Sequence, residues 1–174
     1  VAGLRAESAR VGRDRLQALL DPSERAQTIY SDRLRIAGTV DRVARLDGAR
    51  CPVVVCASRP PENGIYAADR VKLAACAMLV EEKCGEAVDH GAVEYACGWR
   101  IREADVRKAD RMAVLSTRNR IVQMGTAMPE GKRGPWCARC DHSGSCEVRP
   151  SLLSSMFRPV LTNSIAISRN ETNK

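Results

Sequence analysis

The dipeptide Asp47-Gly48 sits between two strand-like runs, and this arrangement constrains the fold more than any other part of the chain. Asp-Gly readily takes the left-handed positions of a tight two-residue hairpin turn. Before it, residues 34–46 alternate loosely between apolar and polar side chains. After it, PVVVCA at 52–57 is apolar and β-branched, as a strand buried on both faces is. Residues 34–57 are therefore expected to form a β-hairpin at the heart of a sheet.

The flanking segments supply the rest of an α/β domain. Residues 65–84 are apolar nearly all round, which predicts a buried helix stopped by Gly85. Residues 91–101 place Val93, Tyr95, Cys97, Trp99 and Ile101 at period two, which predicts a single strand. Helices are expected at 7–20, ending before Asp21-Pro22, and at 104–128, where Val106, Ala109, Ala113, Thr117, Ile121 and Met124 form the inner stripe. Residues 160–174 show no durable periodicity. The order predicts a mixed sheet flanked by helices, with a core over 1–130, a cysteine-rich segment over 131–150 and a mobile tail over 151–174. Glu94 is expected to face solvent.

Charge and hydropathy narrow the function classes. No apolar run reaches the length of a membrane helix, and the charged start VAGLRAESAR lacks the apolar core of a secretory signal. The chain begins with Val1 rather than Met, as a fragment or an unusual start would. Its formal charge is +7, and residues 98–150 carry 11 basic against 6 acidic side chains. That excess suits a phosphate-rich partner, or a solvated basic surface.

Of the eight cysteines, Cys137, Cys140 and Cys146 form C-x2-C-x5-C on a segment bounded by Gly and Pro. Thiolates so spaced can converge on a zinc ion or an iron–sulfur cluster. Such a set implies a reducing, cytoplasmic compartment. His142 is a candidate for the fourth ligand, although it lies only two residues after Cys140.

The phrases IAGTVDRV, PVVVCAS, RPPENGIYAADRVKLAACAMLVEE and HGAVEYACGWR, then a long helix and the cysteine triplet, stand in one order. Over residues 8–150 this resembles the CRISPR-associated RecB-like nucleases of the PD-(D/E)XK superfamily. The resemblance implies a restriction-endonuclease-like fold and DNA exonuclease chemistry with Mg²⁺ or Mn²⁺. It also implies a [4Fe-4S] cluster on Cys137, Cys140 and Cys146 with one N-terminal cysteine, and a role in spacer acquisition beside the CRISPR integrase.

In that family an aspartate on one strand and Glu-x-Lys on the next hold the metal and the attacking water against the phosphate. Asp41 matches the aspartate. The Glu-x-Lys falls on Val54-Val55-Cys56, and the helix Gln-x3-Tyr falls on Lys72 and Cys76. No histidine precedes His90 and no cysteine precedes Cys51, so the family's first-helix histidine and N-terminal cysteine are absent. Asp69 lies three residues before Lys72 on one helix face. Asp41, as the metal ligand, could thus form a displaced triad with Asp69 and Lys72; the structural alternative is an Asp69–Lys72 ion pair. The expected function is DNA or integrase binding with lost or weakened nuclease activity. The alternatives are an active nuclease using the displaced triad and a zinc-ribbon nucleic-acid-binding protein.

Overall fold

A computed structural model describes residues 2–21, 23–125, 131 and 133–148. They fall into two units, divided after Gly125. The expected tail, 151–174, lies outside the described residues.

In the first unit the elements are α1 (Ala2–Val11), α2 (Arg13–Leu20), β1 (Glu24–Ser31), β2 (Ile36–Leu46), β3 (Ala49–Cys56), α3 (Ala67–Cys84), β4 (His90–Tyr95), β5 (Arg100–Asp105) and α4 (Lys108–Met124). One five-stranded sheet runs β1-β2-β3-β4-β5 in space. The first three strands form an antiparallel meander, β4 is parallel to β3, and β5 returns antiparallel to β4. A parallel neighbour needs a crossover, and α3 supplies it. The fold is therefore α/β, a mixed sheet flanked by helices.

The hairpin forms as its turn dipeptide requires. Asp47 and Gly48 both take positive φ, 52° and 82°, and Leu46 pairs with Ala49. The apolar run of β3 is buried on both faces: Val53 packs towards α2 with Leu16, Leu19, Ala44 and Ile101, and Val54 towards α3 with Leu73, Ala77, Val93 and Tyr95. The helix α3 carries alanines, leucines and a methionine that suit a helix interior. It ends at Gly85, whose φ of 70° lets it close the helix C-terminus. β4 passes close beneath α3 at Gly91, where an added Cβ would lie 2.7 Å from Leu73 Cδ1 and 3.1 Å from the Pro52 carbonyl.

Five expectations change. The helix over 7–20 is two helices, broken at Gly12, whose φ is 95°. Residues 24–31, unassigned from sequence, form the edge strand β1. The strand over 91–101 is a hairpin: Gly98 and Trp99 turn with φ of 125° and 51°, and Cys97 and Trp99 are exposed rather than on the core face of a strand. α4 starts at Lys108, because 104–105 belong to β5, and among its described residues only Val114 is buried; Ile121 and Met124 of the expected inner stripe are exposed. Glu94 is not solvated, since it pairs with Arg42 and both side chains are largely buried.

No helix among the described residues is long and apolar enough to cross a membrane.

Candidate functional site

Asp41 and Asp69 bond adjacent residues of β3, Val55 and Cys56, where the β2–β3 ladder ends. Backbone pairing between these strands stops at Arg42 and Val53. Beyond it, Asp41 Oδ2 accepts the Val55 N–H at 2.8 Å, so the carboxylate takes the place of a ladder acceptor. This satisfies a strand N–H that pairing no longer reaches. Asp41 makes no ion pair with Arg42, whose guanidinium bonds the Leu19 carbonyl and Glu94 instead.

Asp69, on the first turn of α3, reaches over the ends of β3 and β4. Its Oδ1 accepts from Cys56 Sγ at 3.4 Å and its Oδ2 from the Tyr95 hydroxyl at 2.9 Å. The same hydroxyl accepts the Tyr66 N–H at 3.3 Å, and the two tyrosine rings meet edge to face at 6.0 Å. Asp69 therefore forms no ion pair with Lys72; it organises a thiol and a phenol. Lys72 is exposed. Tyr95 read in sequence only as a core residue, and nothing but its phenol hydroxyl signalled that it would hold a carboxylate.

The electrostatics tie the set together. Burial raises the Cys56 thiol pKa, the hydrogen bond and charge of Asp69 raise it further, Lys72 lowers it and Asp41 raises it. The buried Cys76 thiol is pushed up to about 11 by burial, with Lys72 opposing and Asp41 adding. Asp41, Asp69 and Lys72 thus all act on Cys56, at the position where the resembled nucleases carry a lysine. The position of their glutamate is closed by hydrocarbon: Val54 is fully buried in the α3-facing core. Both thiols are held neutral, and a neutral thiol is a poor ligand for hard Mg²⁺.

Asp69→Asn should lower the Cys56 pKa towards the ordinary thiol value, because it removes the charge that disfavours thiolate while keeping an acceptor. The pH dependence of Cys56 alkylation, read by peptide mass spectrometry, measures this. An unchanged or higher pKa would contradict the placement of Asp69.

In the second unit, Pro135–Arg139 form one 3-10 turn that carries Cys137 and leads into Cys140. The Gly134 N–H donates to Cys137 Sγ at 3.3 Å. Arg133 bonds the carbonyls of Ser143, Cys146 and Val148, which closes the segment on itself. The donor chemistry, three thiols within ten residues of chain with a backbone N–H on one sulfur, suits a thiophilic metal or cluster. The geometry expected for it is not formed: among the described residues no three His, Cys, Asp or Glu side chains are gathered closely enough to hold a metal ion. Cys137, Cys140 and Cys146 are free thiols, and His142 joins no such group.

No family model matches the chain. It is similar to a curated protein of Archaeoglobus fulgidus, named as an uncharacterized protein, with 29% identity over 132 residues. That match takes in 75% of this chain and 58% of the archaeal protein, so the chain spans less than two thirds of the relative's length.

Proposed function

We propose that the chain is a RecB-like protein of the PD-(D/E)XK fold, of the CRISPR-associated kind, that binds DNA or the integrase in spacer acquisition and has lost or weakened its nuclease activity. The observation that carries this reading is the position of Asp41. It stands where an antiparallel β2–β3 ladder opens, beside a third strand joined through α3 to a parallel fourth, and Asp69 and Lys72 bring their charges to the same place. Phosphodiester hydrolysis needs a divalent ion held against the phosphate and a group that handles water. Here Val54 and Cys56 occupy the ligand and lysine positions. The oxygens of Asp69 are engaged by Cys56 and Tyr95, and one oxygen of Asp41 by Val55. A metal recruiting these carboxylates would strip hydrogen bonds from a buried phenol and a strand N–H, which opposes Mg²⁺ binding.

In the same reading Cys137, Cys140 and Cys146 would hold an iron–sulfur cluster with a fourth ligand from elsewhere; when bound, it would supply redox chemistry or a structural staple. Brown colour and broad visible absorption in anaerobically purified protein support the cluster. Colourless protein with stoichiometric zinc points to a zinc ribbon.

End-labelled linear DNA incubated with the full chain in Mg²⁺ or Mn²⁺ tests the site. Little or no end trimming is expected, with DNA binding that weakens as salt rises. Robust cleavage abolished by Asp41→Ala would overturn the decayed site and promote the triad of Asp41, Asp69 and Lys72, with Asp69→Ala and Lys72→Ala as the next variants. Absence of both cleavage and salt-sensitive DNA binding leaves the integrase as the partner to test.

A further inference from the structure

A groove of about 450 Å³ runs between the start of β2, α3 and α4. Ile36, Val71, Ala75 and Val114 line it, and Ile121 and Val122, both well exposed, form its lip on α4. Its charged lining residues are Arg35, Lys72 and Arg118, with no carboxylate among them. Arg118 is fixed across the groove by a 2.7 Å bond to the Leu34 carbonyl. Among the described residues neither Arg35 nor Lys72 forms an ion pair, whereas many other arginines of this unit do.

We propose that this groove docks an acidic amphipathic segment of a partner protein. An aliphatic floor takes the apolar face of such a segment, and flanking Asp or Glu side chains meet the three cations. A nucleic-acid strand fits less well, because no aromatic ring lines the groove to stack a base. The docking surface does not depend on the DNA-binding reading.

The probe is a fluorescein-labelled peptide with leucines at i, i+3, i+4 and i+7 and glutamates on both flanks, titrated with the full chain by fluorescence anisotropy. Saturable binding is expected, with methyl NMR shifts at Val71, Val114, Ile121 and Val122. Arg35→Asn combined with Ile121→Ser should weaken binding about tenfold. Both positions are exposed, and asparagine suits the left-handed backbone of Arg35, whose φ is 53°. A peptide with lysines in place of the glutamates should not bind, a comparison that needs no variant. The proposal is overturned if the acidic peptide does not saturate, if the lysine peptide binds as well, or if the double variant binds unchanged. Stronger shifts of the same methyls by single-stranded DNA would make the groove a nucleic-acid track. Self-association of the chain lost on Ile121→Ser would assign it to a second copy.

Discussion

Replacing Glu7 with alanine is expected to destabilise the first unit by about 2–3 kcal/mol, because it removes the buried acceptor of hydrogen bonds from three residues and leaves the buried Ile101 N–H without that partner. Glu7 is 1% exposed, although it sits on the first helix of the chain. Its carboxylate accepts from Arg10 at 2.5 Å, from Arg100 at 2.9 Å and from the Ile101 N–H at 2.7 Å. Those bonds fasten α1 to the start of β5. Urea unfolding followed by circular dichroism measures the loss, and a change below about 1 kcal/mol would contradict the network.

The same residue makes stability depend on pH. Burial alone would raise the Glu7 pKa, but hydrogen bonds from Arg10, Ile101 and Arg100 outweigh it and lower the pKa from 4.5 to about 2. A carboxylate whose pKa falls on folding binds more protons when unfolded. Its contribution is therefore complete above about pH 4.5 and is lost as the pH falls towards 2. In Glu7→Gln the dependence on pH within that window should be visibly shallower than in the parent chain.

Leu79→Ala should cost about 2–5 kcal/mol, the range for deleting a large buried aliphatic side chain. Leu79 is fully buried in the core between α3 and the sheet, and its Cδ1 packs 3.1 Å from where a Cβ on Gly38 of β2 would stand. The exposed Met112→Ala provides the contrast and should stay within about 0.5 kcal/mol. If the two variants unfold alike, α3 does not pack as described.

The use made of the arginines also differs from what composition suggests. A positive balance over 98–150 reads as a phosphate-binding surface, yet Arg100, Arg107 and Arg111 there are engaged by Glu7, Asp110 and Glu81. Arg111 reaches Glu81 with two nitrogens, at 2.5 and 2.8 Å, and so links α4 to α3. Part of the excess thus holds helices together. Two of the three cations of the apolar groove, Arg35 and Lys72, come from segments outside 98–150.

The sequence by itself determined those elements whose cause is local. Asp47-Gly48 specified the β2–β3 turn, because only its left-handed geometry matches the strand twist. The apolar length of 65–84 and Gly85 specified α3 and its end. Tertiary structure decided the rest. β1 carries few apolar residues and forms because β2 offers it an edge, a reason no local pattern of 24–31 contains. Period two over 91–101 ran through a turn, because Cys97 and Trp99 keep the alternation that Gly98 breaks. At the site, sequence named Asp41, Asp69 and Lys72 one at a time. That Asp69 bonds Cys56 and Tyr95 rather than Lys72 follows from α3 crossing the ends of two parallel strands, and helical spacing alone cannot say which neighbour across the sheet a carboxylate will meet.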